Sequence, residues 1–141
     1  MATETPARVH PPRVELGALA AGGLSPAILA IIDRGVRRRP ALAHTMSAEV
    51  ELAIEDPYPP VRIAFGERLV LVEDGPGTAP DLRIEGSLAA LVSLMVAPLV
   101  RGVPSPINAR GRAALTMVAQ RRVRVEGRLA LMRKFLQIIR V

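Results

Sequence analysis

Leu82-Arg83-Ile84-Glu85-Gly86-Ser87-Leu88-Ala89 and Val123-Arg124-Val125-Glu126-Gly127-Arg128-Leu129-Ala130 carry one pattern twice, 41 residues apart. Arg, Glu, Gly, Leu and Ala recur in register. Each copy alternates apolar and polar residues with the period of a strand, reaches a glycine, and continues with apolar residues at helical spacing. A glycine there permits a sharp strand-to-helix turn that a Cβ would obstruct. The first helix carries Leu88, Leu91, Val92 and Met95; the second carries Leu129, Met132, Leu136 and Ile139, flanked by Leu131, Phe135 and Ile138. Two copies are too few for a solenoid. They predict two similar strand–helix units on one sheet, with a shorter helix near residues 113–120 between them.

Upstream, the pattern predicts one helix and a three-stranded meander. Ser25 reads as a helix cap and Pro26 as the first helical residue, where a missing N–H costs nothing. Ile28, Ile31, Ile32 and Val36 make a stripe at helical spacing, Arg37, Arg38 and Arg39 fall in the last turn, and Pro40 stops the helix. The period then switches to two: Val50, Leu52 and Ile54 alternate with glutamates. Val61 to Phe65 and Leu69 to Val72 follow as two strands joined through Gly66-Glu67. Residues 1–23 are rich in Pro, Ala and Gly and read as a flexible tail, leaving 24–141 as the folded domain.

The 141-residue length suits a single domain, and a 50% apolar content excludes a disordered chain. With no Cys there are no disulfides and no thiolate chemistry, which fits a reducing cytoplasm. Glu4, Arg8, His10, Arg13 and Glu15 interrupt any secretory signal, and the longest uncharged run, Ser87 to Val100, is too short to span a bilayer. The reading is a soluble cytoplasmic protein. Net charge is +6, unevenly spread: residues 81–141 hold 11 basic and 3 acidic groups, a balance of +8. That asymmetry points to an anionic partner or to an arginine-rich background.

The catalytic inventory is thin. His10 lies in the tail, and His44, near Thr45 and Ser47, reads as a loop residue rather than a general base. No metal-ligand spacing and no glycine-rich phosphate loop is present, so neither catalytic residue, metal nor cofactor is assigned. Glu85 and Glu126 resemble a carboxylate pair, but both alternate with apolar strand residues and should form cross-strand ion pairs near Arg83 and Arg124. Nucleic acid is disfavoured as a partner, because Phe135, the one aromatic in the basic half, belongs to an apolar helix stripe.

The unusual feature is aliphatic. Ser87 to Val100 has no charge on any face, and the final helix is apolar over about half its circumference. Met95 and Met132 take corresponding places in the two units, with Met117 between them, and soft side chains suit a cavity for irregular apolar guests. An ordinary well-filled core accounts for the same pattern.

These features together resemble the sterol carrier protein type-two family. The matching parts are the N-terminal helix, the meander, the strand Asp81-Leu82-Arg83-Ile84-Glu85-Gly86, the following helix with Leu94-Met95, and Arg124-Val125-Glu126-Gly127 before the apolar helix 129–139. The resemblance covers residues 25 to 141 and implies an α+β domain: a roughly five-stranded sheet, helices on one face, and an apolar tunnel between them for fatty acyl or sterol-like ligands. It implies a noncatalytic carrier or an accessory domain attached to an enzyme. By position, Leu91, Leu94, Met95, Met117, Met132, Phe135, Leu136 and Ile139 would line the tunnel. Two departures stand out: residues 98–108, with Pro98, Pro104 and Pro106, read as an insertion, and Arg128 replaces an acidic residue common after the glycine. Arg101, Arg110 and Arg112 flank that insertion and are candidates for transient docking on an anionic membrane. Two rivals remain: a subunit or accessory domain of an enzyme of hydrophobic metabolites, and an interaction module that buries its apolar helices in an oligomer.

Overall fold

The structure, a computed structural model, describes residues 9–96, 99–100, 103–104, 110, 112 and 122–140. Its described elements run β1 (Arg13–Leu16), α1 (Ser25–Arg38), α2 (Pro40–His44), β2 (Ala48–Ile54), β3 (Val61–Phe65), β4 (Leu69–Asp74), β5 (Leu82–Gly86), α3 (Leu88–Val96), β6 (Leu99–Val100), β7 (Val103–Pro104), β8 (Val123–Gly127) and α4 (Leu129–Ile139). Six strands form one sheet in the order β1-β4-β3-β2-β5-β8, and β6 and β7 make a separate two-residue pair. This is the α+β layering expected, with six strands in place of about five.

Alternation builds the two faces of the sheet. Val50, Leu52, Ile54, Val61, Ile63, Phe65, Val70, Val72, Leu82, Ile84 and Val123 point inward and are buried. The helices cover that face with Ile28, Ile32 and Val36 from α1 and Leu131, Phe135, Leu136, Ile138 and Ile139 from α4. Phe135 meets Phe65 edge to face, ring centroids 6.2 Å apart, a preferred aromatic geometry. Gly35 lets α1 and α4 touch through their backbones, since a Cβ there would collide with the Ile138 carbonyl oxygen.

Three local expectations change. Residues 13–16 lie inside the segment read as a flexible tail, yet they form β1, parallel to β4 with Arg13 opposite Leu69 and Leu16 opposite Val72. That strand holds on by backbone pairing and by Val14, half-buried against the core; its other side chains are exposed. Ser25 does not cap α1 with its hydroxyl, which is buried without a hydrogen-bond partner among the described residues. Asp74, from β4, accepts the Ser25 amide at 3.2 Å and the Ala20 amide at 2.9 Å, placing a buried carboxylate at the positive end of the helix. Arg37 and Arg38 do lie in the last turn of α1, where Arg37 pairs with Asp33, but Arg38 also serves another helix. Arg38 donates to the carbonyls of Gln137 (2.7 Å) and Arg140 (2.9 Å), satisfying the C-terminus of α4. Burial, then neighbouring Arg140, Arg39 and Arg34, lowers its pKa from the usual arginine value.

Candidate functional site

The two echoed strands lie side by side. β5 and β8 are antiparallel neighbours, with Arg83 opposite Glu126, Ile84 opposite Val125 and Glu85 opposite Arg124. The glycines sit at opposite ends of this ladder. Gly127 has φ +139°, and a Cβ there would meet the Asp81 carbonyl oxygen at 2.5 Å; at Gly86 it would meet that of Arg122 at 3.0 Å. Each glycine therefore ends its strand and admits the neighbouring backbone. From these turns α3 and α4 leave the sheet, and they touch each other.

This placement brings most of the expected lining residues into one helical layer. Leu91 and Leu94 on α3 and Phe135, Leu136 and Ile139 on α4 are buried in the core, while Met95 and Met132 are half-buried against it. The echo register does not make the two methionines equivalent: Met95 corresponds to Leu136 and Met132 to Leu91, so they sit one turn apart. Met117 lies outside the described residues. On α3 the uncharged pattern leaves Val92 40% and Val96 38% exposed, and α4 leaves Leu129 59% exposed.

The outer face of the sheet is polar. Arg83 bridges strands, with Nε 2.7 Å from Glu51 on β2 and Nη1 2.8 Å from Glu85 on its own strand. The hydrogen bonds to Glu85 and then Glu51 raise its pKa above the usual arginine value. Arg62 contacts Glu73 at 2.8 Å and Glu49 at 3.3 Å; burial lowers its pKa, but these two carboxylates outweigh that and the net shift is upward. Glu85 is thus ion-paired, but with Arg83 of its own strand rather than across the ladder as expected; Arg83 makes its cross-strand pair with Glu51. Backbone amides of Gly77 and Thr78 donate to Glu51 and Glu49, so the 75–80 loop is fastened over this face. An open groove of about 680 Å³ lies there, lined by Glu51, Glu55, Asp56, Arg83 and Glu85 among others. It is on the side of the sheet away from the aliphatic helices.

His44 sits at the end of α2, its Nε2 2.6 Å from the His10 carbonyl oxygen, so it tethers the N-terminal segment. Among the described residues no group of three or more His, Cys, Asp or Glu could hold a metal, and no helix is long and apolar enough to cross a membrane. Arg110 and Arg112 are exposed, and each is engaged by a partner; Arg101 lies outside the described residues.

A sheet with its helices on one face, entered through an N-terminal helix and closed by two strand–helix units, is the sterol carrier protein type-two fold. The sterol carrier protein domain 2 of Helicoverpa armigera matches with a TM-score of 0.58 at 15% identity, covering 81% of this chain and 84% of that one. A UbiJ-SCP2 ubiquinone synthesis protein matches with a TM-score of 0.56 at 15% identity, covering 84% of this chain and 86% of that one. Part of the stereoselective inverting sec-alkylsulfatase Pisa1 from Pseudomonas sp. matches with a TM-score of 0.58 at 12% identity, covering 82% of this chain and 16% of the sulfatase. At these identities the likeness is one of fold. No protein-family model and no curated protein sequence matches the chain.

Proposed function

We propose that this chain binds an apolar, lipid- or sterol-like molecule between the sheet and the α3–α4 layer, and carries it without chemistry of its own. The observation that supports this most is α3. It is uncharged throughout, it stands on a fold shared with sterol carrier domains, and it keeps Val92 and Val96 partly in water although Ser93 is its one polar residue. Surface valines at helical spacing beside half-buried Met95 form an apolar side that an aliphatic guest would cover. A membrane role for Arg110 and Arg112, and a compartment in the cytoplasm, belong to the same reading.

A second reading is the accessory one: the same fold forms a minor part of a sulfatase and the bulk of a protein described as acting in ubiquinone synthesis. In that case the chain would present a hydrophobic metabolite to an enzyme. One experiment addresses the common core of both. Native mass spectrometry of the purified protein, followed by organic extraction, should yield an apolar ligand at close to one per chain. Met132→Trp should lower uptake of a fluorescent fatty acid about tenfold or more and leave the melting temperature unchanged. Loss of about 1–3 kcal/mol by overpacking, with no ligand in either protein, would overturn the carrier reading in favour of a filled core.

A further inference from the structure

β8 is an edge strand: among the described residues it pairs with β5 on one side and with nothing on the other. Its exposed side chains are Arg124 and Glu126, with Val125 half-buried between them. Edge strands are commonly defended by charged side chains, lysine above all, which discourage a second strand. Here the charges alternate about a centre. An antiparallel copy of β8 placed with Val125 opposite Val125 sets Arg124 against Glu126 twice, and Val123 against Gly127 twice. The inner edge of β8 already carries that register. β5 presents Arg83 to Glu126, Glu85 to Arg124 and Gly86 to Val123, and residues 83, 85 and 86 repeat residues 124, 126 and 127. A second β8 therefore offers the outer edge the same complement that β5 offers the inner one.

We infer that β8 pairs with β8 of a second copy of this chain, antiparallel about Val125, extending the sheet across a two-fold axis. Outer-face charges would then alternate from Glu85 through Arg124 to the second copy's Glu126, each carboxylate beside a guanidinium. Arg122 and Arg128 do not spoil the register, because Gly127 at φ +139° turns the chain out of the strand before Arg128, and Arg122 lies in a bend ahead of it. One five-residue strand pair is a small interface, so the dimer is weak and forms at high protein concentration. The inference is independent of any lipid in the helical layer.

Two measurements test it on the full chain. In sedimentation equilibrium the wild type should dimerise, and Arg124→Glu and Glu126→Arg should each weaken self-association about tenfold or more, since each places like charges opposite one another twice. Mixed one to one, the two variants should associate again, because every facing pair is then opposite in sign; a misfolded variant could not produce that recovery. The chain has no Cys, so Val125→Cys introduces a single thiol at the two-fold axis. Mild oxidation should link it into covalent dimers faster than Leu129→Cys, although Leu129 is the more exposed position. A wild type that stays monomeric at high concentration, variants that dimerise as well as the parent, or faster linking through residue 129 would each overturn the proposal.

Discussion

The β5–α3 unit and the β8–α4 unit share a sequence pattern but not an environment. β5 is flanked by β2 and β8, and its residues alternate between buried and half-buried; β8 lies at the edge, and only Val123 is fully buried. The helices diverge the other way. α4 has a polar side carrying Arg133, Lys134 and Gln137 opposite its buried stripe, whereas on α3 the corresponding side carries two valines and Ser93, the helix's one polar residue. In the register of the echo, exposed Val92 corresponds to Arg133, and Val96 to Gln137. Local pattern therefore specifies strand, turn and helix in both units, while position in the sheet decides how much each residue contributes. An apolar side kept on the better-enclosed unit, rather than at the edge, places the greasiest surface beside the deepest part of the core.

The largest test of that contrast uses two residues that are both echo equivalents and register partners. Ile84 is 1% exposed and Val125 is half-buried, and they face each other across the β5–β8 ladder. Ile84→Ala should cost about 2–4 kcal/mol through lost burial and a cavity. Val125→Ala removes two methylene equivalents from a half-wet site and should cost about 1 kcal/mol. Urea denaturation with an unchanged slope reads both values. Equal losses would mean that the edge strand is as deeply packed as the central one.

A smaller effect separates the glycines. Gly127→Ala forces a side chain into φ +139° and against the Asp81 carbonyl, at a cost of about 1–3 kcal/mol. Gly86→Ala meets the Arg122 carbonyl at 3.0 Å with no left-handed backbone, and the strands need part by only a few tenths of an ångström. Thermal melts should show a clear drop for the first and a minor one for the second. A larger drop at Gly86 would place the tighter turn in the first unit.

How far such features are legible depends on whether the residues that cause them are neighbours in the chain. Val50, Leu52 and Ile54 against their glutamates announce a strand because one face is apolar and the other polar, and the two echoed units announce themselves by repetition. β1 does not, because Arg13-Val14-Glu15-Leu16 half-buries only Val14 and is otherwise held through the β4 backbone. Asp74 as the acceptor for the Ser25 amide, and Gly35 against Ile138, are equally hidden, since each joins residues far apart in sequence. Of the residues that the resemblance sets along a tunnel, Leu91, Leu94, Phe135, Leu136 and Ile139 are buried in one layer. Spacing carries no volumes, however, so the same residues read equally as the wall of a cavity and as a filled core. Phe135, fully buried and set against Phe65, belongs to the filled part; Met95 and Met132, half-buried, mark where space for a guest would begin.

The smallest stability effect carries the sharpest functional contrast. Val92→Arg with Val96→Gln would give α3 the polar side that α4 already has at Arg133 and Gln137. Both valines are more than a third exposed, and surface substitutions of this kind usually change stability by less than about 0.5 kcal/mol. Arginine and glutamine are also better helix formers than valine, which offsets part of the lost burial. The fold should therefore persist, with a melting temperature close to that of the parent. Transfer of a fluorescent fatty acid from vesicles should nevertheless slow several-fold, because an apolar guest would have to pass a charged side chain to reach Met95. Unchanged transfer kinetics in a protein that still binds the probe would show that the guest enters elsewhere. The exposed valines would then be ordinary surface residues, and the contrast between the two helices would be one of sequence drift rather than of function.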